Sequence, residues 1–199
     1  AGATATLALE SATIMSEEAF NEVTVAERVR LLASSVNSTA TANLEARYGD
    51  VSIGGLSVLA SGTESQTTLH VKAADTLGLL QGGLDVQASG FGSRAEVELS
   101  SSAGAVTVNG GVSLIASGEA SQLDIDLSSA SARLTIMKDV RASALADGSE
   151  VNLTLSQSAG PTVSVAGQIR LAADSGIGAV SGATATADLT LGKFGSASV

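Results

Sequence analysis

The chain has 199 residues, a formal net charge of −10, 22 Gly, a single Pro, no Cys and no Trp. That acidic balance excludes a nucleic-acid binder, which needs a basic footprint, and no run reaches the ~18 apolar residues of a membrane-spanning helix. At 44% hydrophobic and 15% charged residues the chain is too apolar to be disordered. Its only rings are Phe20, Tyr48, Phe91 and Phe194, so its core must be filled by Val, Leu, Ile and Ala instead of aromatics.

The first predicted element is the alternating segment Ala3 to Leu9. Residues 10–22 follow as an insertion, and within it Ser16-Glu17-Glu18-Ala19 reads as a capped helical turn. From Val29 onward the chain repeats. Ala33, Ala60, Ala88, Ala116, Ala144 and Ala173 recur at intervals of 27, 28, 28, 28 and 29 residues. Each lies four residues after an apolar strand starter, in turn Val29, Leu56, Leu84, Val112, Val140 and Ile169. A fixed period of this length marks a repeat architecture.

Every repeat carries three short segments that alternate apolar with polar, the period of a strand with one buried face. The first type is Leu84-Asp85-Val86-Gln87-Ala88, matched by Val112 to Ala116. The second is Glu96-Val97-Glu98-Leu99, matched by Asp124 to Leu127. The third is Val106-Thr107-Val108, matched by Leu134 to Ile136 and Val163 to Val165. Turn signals separate them: Ser61-Gly62, Ser89-Gly90 and Ser117-Gly118 after the first strand, and Gly54-Gly55, Gly82-Gly83 and Gly110-Gly111 before the next repeat. These glycines are expected to supply the positive φ of tight corners. A second insertion is expected at 177–182.

No helix-length segment separates the strands, which excludes βαβ and leucine-rich folds, and the repeat is too short for a propeller blade. The fold expected is therefore an all-β parallel solenoid. It would be a single domain over 1–199 with about seven three-stranded coils, counting partial turns, and right-handed winding from the chirality of parallel crossovers. Like residues then stack on like. Ala42, Leu69, Val97, Ile125 and Leu153 form one inward ladder, and Leu44, Val71, Leu99, Leu127 and Leu155 another. The ladder alanines, Ala33 to Ala173, point inward. The chain opens on a second-type strand without Met or a signal peptide and stops within a third-type strand. This is expected of a piece of a longer rod or of subunits joined end to end, with Leu7, Leu9 and Val199 awaiting a partner coil.

The same register builds outward ladders. Glu96, Glu98, Asp124 and Asp126 form a two-by-two carboxylate patch, with His70 beside Glu98. Stacked like charges are unfavourable, so a hard cation such as Ca²⁺ is a candidate ligand; a solvated acidic face is the plainer alternative. Paired acids also suit a glycosidase or polysaccharide lyase, but no aromatic platform accompanies them. No catalytic residue is assigned, because one His and no G-x-S-x-G elbow give no triad. Leu32, Leu59 and Ile115 project outward from the first strand as a candidate interface.

Gly104-Ala105-Val106-Thr107-Val108-Asn109-Gly110-Gly111 and Gly111-Val112-Ser113-Leu114-Ile115-Ala116-Ser117-Gly118 resemble repeats of the filamentous-haemagglutinin-type and related β-strand-repeat surface adhesins of Gram-negative bacteria. The resemblance extends over residues 29–199. It implies a non-enzymatic, secreted or surface-anchored rod serving adhesion, biofilm matrix or filament formation, with no cofactor and with itself as partner, axially and, as an alternative contact, laterally. A carbohydrate-binding or lyase-like solenoid and a Ca²⁺-stiffened rod are the alternatives.

Overall fold

The computed structural model describes residues 2–11, 22–130, 132–158, 162–174, 186–191 and 196–198, the first and last segments as backbone alone from residue 6 to 11 and beyond 185. The central part of the 10–22 insertion with its expected helical turn, the 177–182 insertion, Val199, and the side chains of Leu7 and Leu9 lie outside the described residues.

Eighteen strands follow one another without a helix among the described residues. In chain order they are β1 (Thr4–Ser11), β2 (Val23–Ala33), β3 (Thr39–Ala46), β4 (Val51–Ala60), β5 (Gln66–Ala73), β6 (Leu77–Leu79), β7 (Leu84–Ala88), β8 (Arg94–Ser101) and β9 (Val106–Val108). The second half continues as β10 (Val112–Ala116), β11 (Gln122–Ser129), β12 (Leu134–Ile136), β13 (Val140–Ala144), β14 (Glu150–Gln157), β15 (Thr162–Val165), β16 (Ile169–Ala173), β17 (Thr186–Leu191) and β18 (Ser196–Ser198). All pairings are parallel, and each joins a strand to its equivalent one repeat away. The chain is a parallel β-solenoid, as the period requires.

The second-type strands make one sheet of seven, in the order β1-β3-β5-β8-β11-β14-β17. First- and third-type strands make the other two sides. They merge into a single sheet because β2 and β4 each run through the corner, so that one strand serves as the third side of one turn and the first side of the next. Five turns, from 29–53 to 140–165, have all three strands and most of their corners within the described residues, against the seven expected when partial turns are counted. The difference lies at the ends: β16, β17 and β18 stack on β13, β14 and β15 with only part of the chain between them described, and at the other end only β1 and the start of β2 stack.

The register matches the sequence period residue for residue. Val97 sits opposite Ile125 and Leu69, and Leu99 opposite Leu127 and Val71. These side chains are 0–3% exposed and belong to one continuous apolar column. Burying a Leu or Val in such a column contributes about 1.5–3 kcal/mol each. Tyr48 and Phe91 stay outside at 64% and 51% exposure, so the interior is aliphatic throughout the described part. Ala33 to Ala144 are buried, but Ala173 is exposed although it keeps the inward register opposite Ala144. Its strand, β16, is the last of its side, and nothing described stacks beyond it.

The corner glycines act differently from the expectation. Gly62, Gly90 and Gly118 do not have positive φ. They are small because the backbone of the neighbouring turn passes against them: a Cβ at Gly90 would run into the carbonyl oxygen of Gly62, and one at Gly118 into that of Gly90. The left-handed residue comes two positions later, at Asn37, Glu64, Gly92, Ala120 and Gly148, with φ between 51° and 64°. That row recurs once per turn and is occupied by Gly only twice.

Candidate functional site

The second-strand face carries the carboxylate patch on adjacent strands of one sheet, with Glu96 opposite Asp124 and Glu98 opposite Asp126. An open groove of about 230 Å³ runs over it, closed on the next turn by Asn152 and Thr154. The side chains do not converge on a common point. Asp124 accepts hydrogen bonds from Arg94 at 2.7 Å and from Asn152 at 3.0 Å. Glu98 lies 3.0 Å from Nδ1 of His70 and 3.4 Å from the Lys72 ammonium. Among the described residues no group of three or more acidic, His or Cys side chains is placed to hold a metal ion. Partners on the chain itself relieve part of the repulsion between the stacked acids, because the register places Arg94 one turn from Asp124, and His70 and Lys72 one turn from Glu98.

Relief is uneven. Burial raises the Glu98 carboxyl, but the hydrogen bond from His70 and the nearby Lys72 outweigh it, and the pKa falls below the ordinary 4.5. At Asp126 burial and the Glu98 charge act together, and the pKa rises above 3.8.

The first-strand face is of another kind. One outward ladder runs Leu32, Leu59, Gln87, Ile115, Ser143, Ala172. Leu32 is 55% exposed, while Leu59 and Ile115 are half-buried. Leu32 and Leu59 are register neighbours, but Gln87 separates them from Ile115, so the expected apolar stripe is interrupted. Beside it runs a second ladder of Arg30, Ser57, Asp85, Ser113, Arg141, Arg170. This row is not among the positions expected from the sequence, although the same period reveals it, since Arg141 and Arg170 hold one register position in successive repeats.

Where the third strand turns into the first, a shallow cleft of about 530 Å³ is lined by Arg28, Asp85, Met137, Lys138, Asp139 and Arg141, over a floor of glycine backbone. Arg28 pairs with Asp85 at 2.5 Å and Arg141 with Asp139 at 3.0 Å. The Gln168 backbone N–H and the Arg141 guanidinium hold the Asp139 carboxyl below 3.8. At the corner between β3 and β4 Tyr48 lines a groove of about 330 Å³ with Glu45, Arg47 and Lys72. The third-strand face presents Thr24, Ser52, Gly78, Thr107, Thr135 and Ser164, a single uncharged row.

The fold and these surfaces define a three-sided parallel β-solenoid whose sides differ in charge. No family profile, no curated protein and no solved structure matches the chain.

Proposed function

We propose that the chain is a segment of a non-enzymatic extracellular rod, structural or adhesive in role, of the kind built into bacterial surface filaments and biofilm-matrix adhesins. One observation carries this reading: five consecutive turns repeat the same apolar interior while their outward residues change from turn to turn. Selection for a stiff, extensible scaffold leaves that pattern, since each turn needs only its neighbours. The resemblance of Gly104 to Gly118 to β-strand-repeat adhesins agrees with it, as does an acidic, soluble surface. Axial continuation, through further repeats or a second copy, would cover Leu171, which β16 leaves 43% exposed. Electron microscopy of the native material tests the reading: rods or fibres at the cell surface are expected, and isolated globular particles that degrade a polysaccharide would overturn it.

The Tyr48 groove favours a second reading, a carbohydrate-binding solenoid, because an exposed ring beside Glu45, Arg47 and Lys72 is what a sugar face packs on. Glycan-array binding that disappears in Tyr48→Ala would support it; binding that survives the substitution would sink it.

A further inference from the structure

The sides of this solenoid are charged differently, and register alone sets the difference. Outward positions of the first-strand face hold Arg30, Arg141 and Arg170; the carboxylates beside them are Asp85, paired with Arg28 at 2.5 Å, and Asp139, paired with Arg141 at 3.0 Å, so the row keeps a positive excess through Arg30 and Arg170. Leu32, Leu59 and Ile115 lie in the adjoining row. The second-strand face is the reverse, with acids facing acids across adjacent turns. Both faces are parallel sheets with the same ~4.8 Å spacing between strands. Rows of charge on two aligned rods are therefore commensurate: Arg141 and Arg170 occupy adjacent turns, as do Glu96 and Asp126.

We propose that the first-strand face of one copy docks on the second-strand face of another, rods aligned, with Arg141 and Arg170 against the Glu96–Asp126 region. The biological sense of this contact rests on the rod reading; the contact itself does not. A second copy is the occupant because the charge pattern that complements the basic, partly apolar face is present on the same molecule. Glu96 has no ion pair among the described residues, and Asp126 is crowded by Glu98, so an arriving guanidinium relieves an existing repulsion. Opposite charges at such spacing also fix which faces meet. The contact is heterologous, so each copy keeps one face of each kind and association does not have to stop at two.

The test is sedimentation of the purified chain and of two double variants, Arg141→Glu with Arg170→Glu and Glu96→Lys with Asp126→Lys. All four positions face outward, so an unchanged circular dichroism spectrum and a retained cooperative melt verify the fold. Wild-type protein should associate at about 10 mM salt, where charges interact over ~30 Å, and dissociate near 1 M, where they are screened within ~3 Å. Each variant alone should associate about a hundredfold more weakly, the loss expected on reversing close charge pairs. An equimolar mixture of the two should recover association, since the reversed faces are again complementary. A wild type that stays monomeric at low salt, variants that associate as before, or a mixture that fails to recover would each overturn the proposal. So would a first-strand face that retains the wild type on immobilised alginate, through Arg141 and Arg170, without any self-association, since the occupant would then be a polyanion. Microscopy of native fibres is unaffected by any of these results, so the rod reading stands or falls separately.

Discussion

A serine closes the first corner of every turn: Ser38, Ser65, Ser93, Ser121 and Ser149, all within 4% of complete burial. They are not equivalent. Ser149 donates to the Ala146 carbonyl at 2.6 Å and accepts from the Ala146 N–H at 3.0 Å, and Ser38 does the same with Ser35. Ser65, Ser93 and Ser121 have no partner for their hydroxyls. In these turns a glycine stands three residues earlier, and the N–H of Gly62 and Gly118 bonds to the Ala33 and Ala88 carbonyls of the neighbouring turn. Ser149→Ala should therefore cost about 1–2 kcal/mol, whereas Ser93→Ala should be neutral or slightly stabilising, because it removes an unpaired buried hydroxyl. Urea titration of both variants checks this. The carboxylates give a second contrast. The raised pKa of Asp126 means that its ionised form is disfavoured in the fold, so this group opposes folding at neutral pH and ceases to do so once protonated. Asp126→Asn should melt higher than wild type at pH 7, and the difference should close as pH falls through the raised pKa, starting above 3.8. Glu98 has the opposite sign: its lowered pKa adds stability above 4.5 that is lost as pH falls through the folded value.

At the scale of the strand and its corners, glycine has two separate jobs. Gly90 is required by the passing carbonyl of Gly62, and Gly92 by its φ of 59°. The second requirement is soft, since Ala120 and Glu64 hold the same conformation in adjacent turns. Gly92→Ala should cost only about 1–2 kcal/mol. Gly90→Ala should cost clearly more, because a backbone atom has to move; melting temperatures of the pair decide it. Strand positions and register were legible from the sequence because a period of 28 with strict alternation leaves few ways to stack. The function of Gly62 and its equivalents was not, since contact between turns is invisible to a reading based on local turn chemistry. For the same reason the through-running strands β2 and β4 were missed: the Gly54-Gly55 pair looks like a break, yet both residues are buried in extended chain. The acidic patch was legible as a row of positions. Its pairing with Arg94, His70 and Lys72 was not, because side-chain reach decides which neighbour a carboxylate chooses.

Across the whole molecule, one column of apolar side chains carries the stability, and each turn is held only by the turns on either side. Ile125→Asp buries an unpaired charge in that column and should unfold the chain or cost more than about 4 kcal/mol, while Thr107→Asp, half-buried on the uncharged face, should cost under about 1 kcal/mol. Equal tolerance of the two in denaturant titrations would contradict the register. The parallel pairing also has a mechanical meaning. Its hydrogen bonds lie along the rod, between turns, so tension applied along that axis is carried by every inter-turn contact in series and the turn at the end, held on one side only, peels first. Each turn released frees about 28 residues, or roughly 90–100 Å of extended chain. Stretching of a single molecule should give a train of small, evenly spaced extensions of this size at low force, so that a rod made of such turns lengthens many times over at a tension set by the strength of one contact between turns.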